Sequence, residues 1–209
     1  MPVLNQIAFF QNRRDEAPNQ ELARELTQAN DIEGIREIAE NLRNKNPNIQ
    51  SDCIKVLYEI GCIEPALIAG YVNDFLGLLG SKNNRLVWGA MIALSTIAGL
   101  KSAEISARLG EIMRAMEGGS VITIDNGVKI LTAVALGSAE SAQTVLPYLF
   151  NHLATCRAKD IPQHAEKILE AVSADSKQAF IVILQNRMEE LSAPQAARVR
   201  KVIRAAEKR

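Results

Sequence analysis

A set of apolar residues recurs along this chain at an almost constant interval, and that recurrence leaves few folds open. Ile35, Ile38, Ala39 and Leu42 have the i, i+3, i+4, i+7 spacing of a buried helical stripe. A shift of 37 residues lands on Val72, Phe75, Leu76 and Leu79; a second lands on Leu109, Ile112, Met113 and Met116; a third lands on Leu146, Leu149, Phe150 and Leu153. A shift of 35 then reaches Ile181, Leu184, Gln185 and Met188, where Gln185 alone breaks the set. A second series follows the first. Val56, Leu57 and Ile60 map onto Ala93, Leu94 and Ile97, then onto Ile130, Leu131 and Val134, then Ile168, Leu169 and Val172, and last Val202, Ile203 and Ala206, at intervals of 37, 37, 38 and 34. Turn formers separate the two series in every period: Asn44–Pro47, Gly80–Asn84, Gly118–Ser120, Lys159–Pro162 and Ser192–Pro194.

Each period is therefore predicted to be a helical hairpin. One hairpin cannot bury both of its faces, so the core forms only where neighbours stack. The fold class that follows is all-α: an α-α superhelix, or solenoid, of about five stacked hairpins with an N-terminal capping helix. The expected organisation is an arm and capping helix over residues 1–30 and one repeat domain over 31–209, with units at about 31–62, 64–100, 102–137, 139–173 and 175–209. Composition agrees: apolar residues make up 47% of the 209, yet aromatics only 4%, which suits close helix packing better than sheets.

The N-terminal stretch lies outside the register. Its apolar patch Ile7–Phe10 and the polar Gln11–Glu16 are expected to form a short cap or a mobile arm. Asn19 is expected to cap a short amphipathic helix over Gln20–Gln28 carrying Leu22 and Leu26. Asp31 is the predicted cap of the first repeat helix.

The second helices resemble the HEAT-repeat pattern, best kept at Val87, Ala90, Met91, Ala93, Leu94 and Ile97. Thr144–Leu153 is similar to the first helix of a HEAT unit, whose internal proline, here Pro147, bends it; one unit earlier the position is Gly110. The basic residue that HEAT units carry after the Val is Trp88 here, with Ser51, Asp125, Gln163 and Ala197 as counterparts. Armadillo repeats are the nearest alternative. The resemblance covers Asp31–Arg209 and implies an architecture only, whereas the signatures of tetratricopeptide and ankyrin repeats are absent from the sequence.

Lys plus Arg and Asp plus Glu both number 24, so no overall field draws the chain to nucleic acid or to an anionic membrane. The ends differ, with four basic against eight acidic residues over Met1–Glu40 and seven against three over Arg187–Arg209. These nets of −4 and +4 predict a weak head-to-tail self-association. No apolar run approaches the roughly 18 residues that span a bilayer, and the first residues lack the basic and apolar regions of a secretion signal, so a cytoplasmic location is expected. Cys53, Cys62 and Cys156 have no CxxC spacing and are expected to be small buried apolar residues in a reducing compartment.

No catalytic motif stands out: there is no phosphate loop with its Lys, no HExxH and no GxSxG. No enzymatic activity and no cofactor are therefore expected. Gly118–Gly127 is the most glycine-rich stretch and is expected to be an inter-helix loop. His152, Cys156, Asp160 and His164 form a weak ligand set, and the histidines are expected to be ordinary surface residues with no metal.

The best functional lead is a column of equivalent positions on the second helices: Lys55, Ile92, Lys129, Lys167 and Lys201. In a stacked solenoid they would stand about 10 Å apart along the concave face. Trp88, one turn before Ile92, supplies an apolar anchor of the kind over-represented at binding hot spots. These features favour a non-enzymatic scaffold whose concave face binds a protein or an extended acidic peptide. Some alkylpurine DNA glycosylases resemble HEAT solenoids, which makes nucleic-acid binding or base repair the alternative; zero net charge and a single Trp fit it badly. A HEAT-type accessory enzyme such as a bilin lyase is a third reading for which no particular residue speaks.

Overall fold

The computed structural model describes residues 2–209 and, among them, twelve α-helices and no strand. The chain divides into two compact units, one ending at Gly127 and the other spanning Val128–Arg209.

In the first unit, α1 (Ala17–Ala29) precedes α2 (Ile32–Glu40) and α3 (Pro47–Ile63). Asp31 caps α2 as expected, its Oδ1 accepting the Gly34 N–H at 2.9 Å. Ile35, Ile38, Ala39 and Leu42 are all buried, as are Val56, Leu57 and Ile60 on α3. After two 3₁₀ turns, Pro65–Leu67 and Ala69–Tyr71, come α4 (Val72–Leu78) and α5 (Asn84–Ile97). Then follow α6 (Ser102–Ser106), α7 (Leu109–Glu117) and α8 (Val121–Gly137), within which the division between the units falls. Two of the expected hairpins thus carry a short extra helical segment at the front.

α3 and α5 pack closely because glycine faces the neighbouring helix on each. A Cβ at Gly89 of α5 would lie 2.8 Å from Ile54 Cγ1 of α3, and one at Gly61 of α3 would meet Thr96 Oγ1 of α5 and lie 2.6 Å from Ile68 Cδ1. Both distances are shorter than van der Waals contact permits, so only glycine allows the helices this near.

The N-terminal stretch corrects one expectation. α1 starts at Ala17, and Asn19 lies inside it at 1% exposure instead of capping it. Its Oδ1 accepts the Ala8 N–H at 2.9 Å while its Nδ2–H donates to Asp52 Oδ1 of α3 at 2.9 Å. Asp52 Oδ2 accepts the Phe9 N–H at 2.8 Å, and the Glu37 carboxylate of α2 takes the Val3 and Leu4 N–H groups. Glu37 and Asp52 on repeat helices, with Asn19 of α1, therefore satisfy four of the arm's backbone donors, and Ile7 is fully buried.

In the second unit, the rest of α8 leads into α9 (Ala139–Thr155), α10 (Ile161–Ile168), α11 (Lys177–Asn186) and α12 (Ala193–Glu207). Ser138 caps α9, accepting the Ser141 N–H on Oγ at 3.0 Å. Pro147 sits inside this continuous helix, whereas the chain one period earlier is broken between α6 and α7. The expected loop over Gly118–Gly127 is mostly helix: α8 begins at Val121, with Thr123 and Asn126 buried on it. Side-chain clamps join the helices here. Arg198 of α12 forms a bidentate pair with Glu166 of α10 at 2.9 and 2.7 Å, and Arg187 after α11 donates to the Leu153 and Cys156 carbonyls at the end of α9.

Candidate functional site

The most organised polar feature on a closing helix of the first unit is built around Lys55. Its charged head is carried on α3, yet the residue is only 7% exposed. Nζ lies 2.8 Å from Glu16 Oε2 and 2.6 Å from Glu59 Oε1, and 4.7 Å above the ring of Tyr58. Burial by itself would lower the basicity of this amine; the hydrogen bonds to the two carboxylates outweigh it and hold the ammonium above its ordinary value. Burial also raises the Tyr58 hydroxyl above its usual range. Glu59 follows from the i, i+4 spacing on α3, but Glu16 arrives from the segment before α1.

Tyr58 passes the cluster on to α5. Its ring centroid is 6.1 Å from that of Trp88, tilted by 55°. Trp88 and Ile92 are both half-buried, so the indole packs on Tyr58 and still reaches the surface. Ser95 Oγ, one turn further on, lies 3.0 Å from Asn126 Oδ1 of α8. The first unit thus brings together Lys55, Tyr58, Trp88 and Ile92 along neighbouring closing helices.

The other members of the lysine column belong to the second unit. Lys129 of α8 and Lys201 of α12 are exposed, while Lys167 of α10 pairs with Glu170 at 2.7 Å. The column is accordingly uneven: Lys55 is a buried ion-cluster residue and not a solvated member of a charged row, because Glu16, Glu59 and Tyr58 enclose its head.

A second constellation departs further from expectation. His164, expected at the surface, is buried on α10 at 2% exposure, and His152 of α9 is half-buried. His152 Nε2 and His164 Nδ1 are 3.0 Å apart, and with Cys156 Sγ these ligand atoms all lie within 4.8 Å of one another. Asp160 stands outside this set and pairs with Arg157 Nε at 2.6 Å. Burial raises the Cys156 thiol above its ordinary value, opposed by the neighbouring Arg187 guanidinium. The expectation of three buried thiols holds only for Cys53: Cys62 is exposed and Cys156 half-buried. Burial pushes the Cys53 thiol up to about 12.

The register contains a signal for these residues. Stepping back three positions from the lysine column gives Asp52, Gly89, Asn126, His164 and Arg198. Four of the five are polar, buried at Asn126 and His164, half-buried at Asp52 and exposed at Arg198, and the buried ones require partners in the fold. The partners are Asn19 for Asp52, Ser95 for Asn126, His152 for His164 and Glu166 for Arg198.

Among the described residues no helix is long and apolar enough to cross a membrane. Neither a protein-family profile nor a curated protein sequence matches the chain. Solved structures do. A designed armadillo repeat protein in complex with the peptide (KR)4 is similar with a TM-score of 0.68 at 17% identity, covering 99% of this chain and 97% of that one. Computationally designed armadillo repeat proteins for modular peptide recognition are similar with a TM-score of 0.69 at 15% identity, covering 97% and 98%. An engineered protein is similar with a TM-score of 0.67 at 16% identity, covering 100% and 98%. Together with the helix order, these similarities establish an all-α solenoid of the armadillo/HEAT-like architecture.

Proposed function

We propose that the chain is a non-enzymatic scaffold that binds an extended acidic segment of another protein along the closing helices of its repeats. The observation that carries this reading is the Lys55–Tyr58–Trp88 cluster, in which an ammonium over the Tyr58 ring, itself packed against Trp88, already holds a carboxylate from a distant part of the chain. Glu16 is more exposed than the lysine it contacts, with its side chain at 58%, so a peptide carboxylate can take its place with little rearrangement. Trp88 and Ile92 then offer apolar area next to that charge, an arrangement typical of binding anchors. In the second unit, exposed Lys129 and Lys201 supply further positive charge for the same kind of ligand. Designed armadillo proteins of similar fold recognise peptides, one of them a basic peptide. The lysines at this chain's column favour the opposite charge.

The test is fluorescence anisotropy with a labelled Glu-rich peptide, with (KR)4 as the control. Trp88→Ala is expected to weaken binding of the acidic peptide by roughly 30-fold, equivalent to about 2 kcal/mol. Glu16→Gln frees Lys55 and is expected to tighten binding severalfold, while Lys55→Gln weakens it. Preference for the basic peptide, or affinities that ignore all three substitutions, would refute the reading.

A further inference from the structure

In the second unit, His152, Cys156 and His164 come together although they are spread over two helices and a turn. His152 and Cys156 are one helical turn apart at the end of α9, and Cys156 N–H donates to the His152 carbonyl at 2.8 Å. His164 enters from the first turns of α10. The end of α9 is also fixed from outside, since Arg187 Nη1 and Nη2 donate to the Leu153 and Cys156 carbonyls at 2.8 Å each. The main chain that carries the thiol is thus held in place, and the imidazoles meet at 4.9 Å between ring centroids.

From this geometry we infer that His152 Nε2, Cys156 Sγ and His164 Nδ1 form a binding site for a zinc-class divalent metal ion. Two imidazole nitrogens and a thiolate are the donors that borderline-soft first-row ions select, and they do not suit magnesium or calcium. At metal–nitrogen distances of about 2.0–2.1 Å, tetrahedral ligands sit roughly 3.3 Å apart; the two histidine nitrogens are 3.0 Å apart. The thiol has to close in from within 4.8 Å. Between the rings, one proton is now shared by two nitrogens that would both have to present lone pairs to a metal. A divalent ion takes the place of that proton, which moves to the other nitrogen of the ring that carried it, so that both rings bind neutral with one N–H each, and the thiol proton passes to solvent. Three protein ligands leave the fourth position of a tetrahedron to water. With a buried His164 beneath it and half-buried His152 and Cys156 at its rim, the site is reachable from solvent. Such an ion would tie the end of α9 to the start of α10.

The full chain, stripped with a chelator and kept reduced, is titrated with Zn²⁺ by calorimetry and with Co²⁺ by absorption. Expected are one ion per chain, a thiolate-to-cobalt charge-transfer band in the near ultraviolet, and the intense visible bands of tetrahedral cobalt. Cys156→Ser is expected to remove the charge-transfer band. His152→Gln is expected to weaken Zn²⁺ binding by at least the roughly 10–100-fold associated with disturbing an outer-shell partner. Both substitutions fall at half-buried positions, and circular dichroism verifies that the variants remain helical. Cys62→Ser removes an exposed thiol elsewhere and is expected to change nothing. Absence of saturable Zn²⁺ binding, a cobalt spectrum that survives in Cys156→Ser, or one lost in Cys62→Ser would each overturn the assignment.

Discussion

At the scale of single residues, the polar side chains that matter most here are those whose partners are far away in sequence. Asn19 looks like a helix cap when only its neighbours are considered, because a short polar residue precedes an amphipathic stretch. Its actual partners are Ala8 and Asp52, separated from it by 11 and 33 residues, which no local rule can see. Asn19→Ala leaves the Ala8 N–H without its acceptor and Asp52 Oδ1 without its donor in a largely buried place. The expected cost is about 2–3 kcal/mol, read as a lower urea midpoint at an unchanged m value. The same reasoning explains the histidines. The sequence puts His152 and Cys156 on one helix face, but only the packing of α10 against α9 buries His164 and brings the three donors together. Trp88 was legible as the residue that breaks its column. Its ring neighbour Tyr58 and the carboxylate of Glu16 were not, since both depend on how neighbouring segments lie on α3.

At the scale of the elements, apolar spacing was informative wherever a helix was long enough to show it. The stripes on α2 and α4 and the cores of α3 and α5 are buried at the predicted positions. What escaped was short or mixed in composition. α6 has five residues, fewer than two turns, and so carries no readable period. The start of α8 combines Thr, Asp, Asn and Gly, yet burial of Thr123 and Asn126 and the Ser120 hydroxyl, which accepts the Thr123 N–H at 3.3 Å, override those propensities. The contact of α3 with α5 yields a prediction whose sign depends on background. Gly89→Ala drives a methyl into Ile54, which is buried and β-branched and has little room to turn, so a loss of about 1–2 kcal/mol is expected despite the better helix propensity of alanine. In an Ile54→Ala background the obstructing atoms are gone and Gly89→Ala is expected to stabilise. Chemical denaturation of the four proteins measures that coupling directly.

At the scale of the whole molecule, the repeat register fixed the fold class, while function is carried by the places where repeats differ. Equal numbers of acidic and basic residues leave no general field, but opposite excesses over Met1–Glu40 and Arg187–Arg209 remain. Sedimentation equilibrium at low ionic strength is expected to show a weight-average mass above that of one chain, falling to the monomer value near 0.5 M salt as charges become screened over a few ångströms. The same mass at both ionic strengths would show that the asymmetry has no such consequence. Zinc at about a hundred times its dissociation constant is expected to add about 2.7 kcal/mol to the stability of the folded state. The column Asp52, Gly89, Asn126, His164 and Arg198 has a wider implication. Each member meets a different kind of partner: a tied-down arm, a close helix, a serine, a second imidazole, a carboxylate. The repeats share a period without being interchangeable modules. Shuffling one into another's place, or duplicating one by recombination, would preserve the hydrophobic register and strand a polar lock without its key, so this array is free to diverge in sequence more readily than to change its length.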